Sequence, residues 1–424
     1  MLLRFGVSNY LSIKDRQELS LVASALKDDE SGLITPPAKV KERVLPAAVI
    51  YGANASGKSN VVKAFEFMRH FALYSHSRGE PGKPTGVTPF ALDPECAGKA
   101  SEFDIDFIAA GQRFAYSFSV TSEVVETEEL VAYPHTRPQL WFTRKGQEFT
   151  FGKSLTGRNR VIADLVRPNS LFLSAAAQND HEMVKAVVEF FSDMSFGENL
   201  VPGLEIAFLY SRHELVDARV IDFLGRIGTG IVGQRLVPYL SREMALTISR
   251  MTHESRRRSS FESTQNDATI KPAMILELAH EDRIGNHVYL AAQFESTGTQ
   301  RLLILMEDVY RSLDAGTPLI IDELDASLHS KACEALVALF ASPKTNPRGA
   351  QLIATTHGTH LMRTPLLRRD QIWLTKKDRE GATELYALSE FRTRPTDNLE
   401  RAYMQGRFGA TPFTGPARDM IEAA

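Results

Sequence analysis

The sequence predicts an α/β fold accompanied by a second, antiparallel sheet, and three observations carry that expectation. The apolar run "VLPAAVI" passes through "YGANASGKSN", residues 51–60, into "VVKAFEFMRHF", whose apolar residues recur at helical spacing. The stretches "EFDIDFIAAGQRFAYSFSVTSEVVETEELVAY" and "QLWFTRKGQEFTF" alternate and turn as an antiparallel sheet does. The last third returns to short apolar runs that end in polar side chains, "GTPLIIDELDASLH" and "GAQLIATTHGTHLM".

The elements follow in chain order. Residues 1–25 hold two strand-like segments, "LLRFGVSNY" and "IKDRQELSLVAS", and then the loop "KDDESGLITPPAKVKER". The start lacks the basic residues and long apolar core of a signal peptide. No apolar stretch reaches membrane-spanning length, and two cysteines, Cys96 and Cys333, suit a reducing compartment better than a zinc ribbon or disulfide scaffold. A cytoplasmic protein without a membrane partner is therefore expected. The formal charge of -3 excludes a globally basic nucleic-acid coat but leaves room for a local basic face. A chain of 424 residues ordinarily makes about two or three domains.

Val44 to Tyr51 reads as a buried strand and Ser59 to His70 as a helix, so the segment between them is a strand-to-helix turn. Gly52, Gly57, Lys58 and Ser59 fit the G-x-x-x-x-G-K-[ST] pattern. In such a loop the backbone N–H groups of residues like Ala53, Asn54, Ala55, Ser56 and Asn60 surround phosphates. The lysine reaches the outer phosphates, the hydroxyl ligates Mg²⁺, and the helix dipole favours the anion. The pattern and its flanking elements together point to nucleotide binding.

After a Gly/Pro-rich link from Ser77 to Pro94, the alternating block reads as a second sheet, because parallel strands would need crossovers that it lacks. From "HEMVKAVVEFFSDM" to "ELVDARVIDFLGRIGTGI" the texture is helical. The stretch from Arg242 to Asp267 is polar, with Arg256, Arg257 and Arg258 adjacent, and reads either as a solvated loop or as a contact to nucleic acid or a partner.

In the last third, the strand Pro318 to Ile321 ends in Asp322 and Glu323. A carboxylate at the carboxyl end of such a strand faces the nucleotide crevice, so Asp322 can hold Mg²⁺ with Ser59 and Glu323 can polarise an attacking water. The strand Gln351 to Thr355 leads to Thr356 and His357, an imidazole suited to contact a γ-phosphate or its attacking water.

The segments "FGVSNYLSIKD", "GANASGKSN", "FESTGTQRLL", "LIIDELDASLHS" and "IATTHGTHLM" occur in an order that resembles ABC-type ATPases of the SMC and RecF kind. The resemblance is more specifically to compact prokaryotic "AAA family ATPase" proteins of phage-defence and abortive-infection loci. It implies a P-loop ABC-type ATPase head with a mixed sheet, an antiparallel β-lobe and a helical insertion, using ATP and Mg²⁺. The implied organisation is an N-terminal lobe over 1–180, a helical and variable insertion over 181–270, and a C-terminal lobe over 271–424. The family's dyad glutamate falls on Glu323, its magnesium aspartate on Asp322, its switch histidine on His357, and its post-carboxylate turn on Asp325 to Leu328.

Ser296, Thr297, Gly298 and Thr299 stand where the family has its signature, although the common form carries a second glycine and a glutamine. By their chemistry these residues make either an anion-receptive helix start or an ordinary cap for "QRLLILMEDVYRSL". Gln178, after an apolar strand-like run, is the candidate for the family's coupling glutamine, with helix capping as the alternative. Near the C-terminus, "ELYALSEFRTRPTDNLERAYMQGRFGATPF" reads as a strand, a polar linker and a short helix bearing Tyr403, Arg407 and Phe408. The resemblance implies an ATP-promoted homodimer that controls an effector, a TOPRIM-type or other nuclease or a toxin. A RecF-like ATPase acting directly on DNA is the alternative.

Overall fold

A computed structural model describes residues 1–37, 40–135, 137–197, 214–238, 274–363, 365–394 and 397–411. The chain divides into two compact units: Met1–Gly197 with Arg311–Ala326 and Cys333–Ala424, and Glu198–Tyr310 with Ser327–Ala332.

In the first unit, β1 (Leu2–Ser8) and β2 (Gln17–Ser20) join β4 (Ser101–Ala109), β5 (Gln112–Val120), β6 (Val125–Tyr133), β7 (Gln139–Lys145) and β8 (Glu148–Phe151). These form one seven-stranded sheet in the order β2-β1-β4-β5-β6-β7-β8, antiparallel at every pairing. The alternation of "SEFDIDFIA" in β4 appears directly in its burial, with Phe103, Ile105 and Phe107 inside.

The other sheet contains β3 (Ala47–Gly52), β9 (Ser195–Gly197), β13 (Pro318–Ile321), β14 (Gln351–Thr355), β15 (Ile372–Lys377) and β16 (Thr383–Ala387), in the order β16-β15-β3-β14-β13-β9. Its pairings are parallel except that between β15 and β16. Every residue of β3, β13 and β14 is buried, as near-continuous apolar runs in a covered parallel sheet require. The mixed α/β class and the antiparallel lobe expected from sequence are both present.

Helix α1 (Lys58–Tyr74) shares its core with both sheets. Phe65 stacks on Phe5 of β1, Phe71 lies 5.6 Å from Phe118 of β5, and Ile50 of β3 and Ile353 of β14 belong to the same apolar cluster. Smaller helices α2 (Asn159–Ala163), α3 (Phe172–Gln178) and α4 (Lys185–Asp193) complete this part of the unit. The run before Gln178, expected to be strand-like, is helix α3, and Gln178 closes that helix instead of opening one. The cause is a buried carboxylate: Glu128 on β6 accepts from the N–H groups of Phe172 at 2.6 Å and Leu173 at 2.9 Å, satisfying donors that a helix start otherwise leaves open.

The second unit contains α5 (Ala218–Arg226) and an antiparallel sheet of β10 (Ile231–Pro238), β11 (Met274–Glu281) and β12 (His287–Ala291). Strand β10 lies inside the stretch 181–270 expected as a helical and variable insertion and begins where the expected helical texture ends; Gly228 and Gly230, both at positive φ, follow the helix and the chain then pairs with β11. Helices α6 (Thr297–Ala315) and α7 (Ser330–Ala341) begin in this unit's sequence, and α8 (Leu399–Met404) follows β16. Arg256, Arg257 and Arg258 lie outside the described residues.

Glu128 and Arg144 of β7 are both fully buried, with 3.7 Å between Nη1 and Oε2. Tyr116 donates its hydroxyl to Glu128 at 2.9 Å, and Arg144 donates to the carbonyls of Gly146 and Ser170. Burial pushes the Glu128 carboxyl upward against the pull of Arg144 and these donors. Arg144→Met should therefore strand a buried charge and destabilise the chain by roughly 3–5 kcal/mol. Urea unfolding checks this, and a loss below about 1 kcal/mol would remove the pair from that structural role.

Candidate functional site

The carboxyl ends of three parallel strands carry the expected residues. Register pairs Ile321 of β13 with Ala354 of β14, and Thr355 of β14 with Ile50 of β3. Asp322, the end of β14 and the turn after Tyr51 consequently stand at one end of one sheet, where ligands of open α/β sheets bind.

The phosphate loop follows β3 and leads into α1. Glycine is required at two of its positions. A Cβ on Gly52 would collide with the hydroxyl of Thr375, and one on Gly57, whose φ is 103°, would collide with the hydroxyl of Thr383. Ala55 adopts a φ of 61° between them. The Ser56 hydroxyl pairs with Thr375 Oγ1 at 2.7 Å, and Thr383 Oγ1 donates to the Ser56 carbonyl at 3.1 Å. Ser12 pairs with Thr383 Oγ1 at 2.7 Å and accepts from Asn60 Nδ2 at 2.6 Å. Asn54 and Ala55 are exposed, whereas Ser59 is half-buried.

Lys58 is only 5% exposed. Its ammonium donates to the carbonyls of Gly52 at 2.7 Å and Ala53 at 3.0 Å. Burial draws its pKa down, and the charges of Asp322, Asp325 and Glu323 push it up. The lysine and the carboxylates named from sequence are therefore electrostatic neighbours.

Thr355 joins the two carboxylate-bearing residues. Its hydroxyl donates to Asp322 Oδ1 and accepts from the Glu323 N–H at 2.8 Å, and its carbonyl accepts from the Leu324 N–H at 2.8 Å. Glu323 itself sits at φ 52°. His357 is exposed, and its N–H donates to Asp325 Oδ1 at 3.1 Å, so the histidine segment is tied to the turn that begins at Asp325.

Sequence reasoning missed Thr355, Thr375, Thr383 and Ser12 as parts of the site. The available signal was a hydroxyl at or just past a strand end, next to a phosphate loop or a carboxylate. It also missed how the C-terminal segment docks. Glu400 of α8 accepts from Thr359 Oγ1 at 2.7 Å and from Arg363 Nε, and the Ala410 carbonyl accepts from the Ala53 N–H at 3.1 Å. Tyr403 and Phe408 are buried, whereas Arg407 is exposed.

Two other expected groups stand at the ends of helices. Gln178 is exposed at the end of α3, and no hydrogen bond links it to the phosphate loop among the described residues. Ser296 to Thr299 belong to the second unit. There Ser296 Oγ accepts from the Thr299 N–H at 3.1 Å and pairs with Thr299 Oγ1 at 2.9 Å, the arrangement of an N-cap. A Cβ on Gly298 would lie 2.5 Å from the Ser327 carbonyl of the same unit, which accounts for glycine there.

A family model described as "AAA domain, putative AbiEii toxin, Type IV TA system" matches residues 47–363. No curated protein matches the chain. Among solved structures, an Smc head bound to the C-terminal winged-helix domain of ScpA is 14% identical, with 91% of this chain and 97% of that chain covered and a TM-score of 0.42. An Smc head with an extended coiled coil bound to the C-terminal domain of ScpA, derived from Pyrococcus furiosus, is 12% identical over 96% and 98%, with a TM-score of 0.39.

Gly57→Ala tests the loop geometry. The substitution forces an L side chain into a left-handed conformation against Thr383, so it should destabilise the chain by about 1–3 kcal/mol and abolish binding of a fluorescent ATP analogue. Equilibrium titration and urea unfolding read the two effects, and wild-type affinity in the variant would show that the loop does not need this backbone conformation to hold phosphate.

Proposed function

Because the chain belongs to the family of AAA domains described as putative AbiEii toxins of type IV toxin–antitoxin systems, we propose that it is an ATP-binding and ATP-hydrolysing dimeric switch that controls an effector, a nuclease or toxin, in anti-phage defence. The observation that carries the reading is the buried Lys58 of a phosphate loop that follows β3, lying in the field of Asp322 and Glu323, which follow β13, with β14 paired in parallel between the two strands. The family's description, which names a toxin–antitoxin system, supports a role beside an effector.

The reaction is ATP + H₂O to ADP + phosphate. The loop from Gly52 to Asn60 holds the phosphates through backbone N–H groups, and Lys58 exchanges its carbonyl partners for phosphate oxygens. Ser59 and Asp322 would hold Mg²⁺, which when bound supplies charge neutralisation across the outer phosphates. Two protein oxygens suit an ion that takes its remaining ligands from phosphate and water, and among the described residues no group of three or more His, Cys, Asp or Glu side chains forms a cage of its own. Glu323 orients the attacking water and accepts its proton, and His357 contacts the γ-phosphate side of the site. Ser296 to Thr299 would close the γ-phosphate site of a second subunit, so ATP favours a closed two-fold dimer and hydrolysis releases it. Gln178 would relay the nucleotide state into the β-lobe.

Among the described residues no helix is long and apolar enough to cross a membrane. The proposed setting is the cytoplasm.

Lys58→Ala should weaken ATP binding and turnover together. Glu323→Gln should retain ATP and lose turnover by roughly 100-fold to 10,000-fold. Asp322→Asn should raise the Mg²⁺ requirement. Equilibrium binding and steady-state phosphate release separate these outcomes, and near-normal turnover in Glu323→Gln would take that residue out of the chemistry.

A complementation experiment tests the shared site. Homodimers of Glu323→Gln and of Ser296→Arg should each be inactive. A mixed dimer gathers both defects into one site and leaves the other intact, so an equimolar mixture should recover about a quarter of wild-type turnover. A mixture as inactive as its parents would sink the arrangement in which the signature acts in trans.

A further inference from the structure

Thr355 is fully buried at the last position of β14, next to the strand that ends in Asp322. Its hydroxyl meets two partners of opposite demand: the Asp322 carboxylate only accepts, and the Glu323 N–H only donates. A hydroxyl satisfies both at once, because it has one proton to give and lone pairs to receive. No apolar side chain of the same shape can do so. The Thr355 carbonyl then takes the Leu324 N–H, and the Ala326 N–H closes on the Glu323 carbonyl at 3.0 Å, so the chain from Asp322 to Ala326 is fastened along its length.

That fastening has a conformational consequence. Glu323 lies at φ 52°, a region that side-chain-bearing residues enter rarely and keep only when their surroundings hold them there. The dihedral sets the direction in which the Glu323 side chain leaves the backbone, and the bond to Asp322 limits the rotation of its carboxylate. One hydroxyl thus acts on both acidic residues.

We propose that Thr355 is a positioning residue for the site, orienting the Asp322 carboxylate for Mg²⁺-bound nucleotide and holding Glu323 in the backbone conformation from which it meets the attacking water. The inference rests on the ATPase reading and adds to it a residue that touches neither nucleotide nor water. Residues that orient a ligand or base in this way typically cost about 10-fold to 100-fold in metal affinity or activity when replaced.

The test uses the full chain with Thr355→Val, which keeps the shape and removes the hydroxyl, and Thr355→Ser, which keeps the hydroxyl. Three readouts are taken: thermal unfolding, equilibrium binding of a fluorescent ATP analogue across a Mg²⁺ titration, and kcat and KM for ATP. Thr355→Val should raise the Mg²⁺ concentration for half-maximal binding by about 10-fold and lower kcat by about 10-fold to 100-fold. Its Mg²⁺-free nucleotide affinity should stay near wild type. Thr355→Ser should bring both parameters back to within about 3-fold, which a purely packing role would not do. A Val variant with the wild-type Mg²⁺ midpoint and kcat, or a Ser variant as impaired as Val, overturns the proposal. Should Thr355→Val lose the wild-type melting transition, Thr355→Cys, whose thiol donates and accepts only weakly, takes its place against Ser. A wild-type chain that binds Mg²⁺ and nucleotide without turning it over would count against the hydrolytic reading alone; the difference in Mg²⁺ midpoint between the Val and Ser variants would still decide the role of Thr355.

Discussion

The burial of one ammonium group constrains everything around it. Lys58 is withdrawn from water, and a buried charge is costly unless it is hydrogen-bonded and compensated. The carbonyls of Gly52 and Ala53 provide the hydrogen bonds, and the carboxylates of Asp322, Glu323 and Asp325 provide the opposing charge. These groups come from two strands, so β3 and β13 must end at the same level with β14 between them. The parallel register meets that requirement. The same arrangement that stabilises the lysine brings a cation, the phosphate loop and acidic side chains to one end of the mixed sheet, where ligands of open α/β sheets bind.

Hydroxyl groups do much of the fastening. Ser12, Ser56, Thr355, Thr375 and Thr383 each bond to neighbours at the strand ends, and each can give and take a hydrogen bond in the same position. A serine or threonine bridges two backbone segments there without adding a second buried charge. The C-terminal segment continues this pattern on a larger scale. Through Glu400 it holds Thr359 and Arg363, just beyond His357, and through Ala410 it holds the second residue of the phosphate loop. The segment from α8 to Ala410 thus bonds both to the residues that follow His357 and to the phosphate loop.

Helix α1 connects the site to the bulk of the first unit. Its first turn carries Lys58 and Ser59, and its body is set among Phe5, Phe118 and the apolar residues of the mixed sheet. Close packing makes that body resistant to small displacements, so the phosphate loop is held at a helix whose position two sheets determine. The Glu128 and Arg144 pair performs a comparable task for α3, whose start would otherwise leave N–H groups without partners.

The sequence by itself determined the elements whose signals are local. The strand Pro318–Ile321, the strand Gln351–Thr355, the antiparallel block and the phosphate loop follow from apolar periodicity, turn residues and a fixed spacing of glycines, all properties of adjacent positions. Asp322 and His357 were legible as candidates because a polar residue at the end of a buried strand marks the open edge of such a sheet. Only the tertiary structure decided what depends on partners distant in the chain. Phe172–Gln178 became a helix because a carboxylate from β6 caps it; β10 became a strand because β11 pairs with it; Thr355 acquired its two partners because β13 lies beside β14. In each case the local sequence permits more than one conformation, and the choice is made by a hydrogen-bonding group that the chain brings back from far along its length.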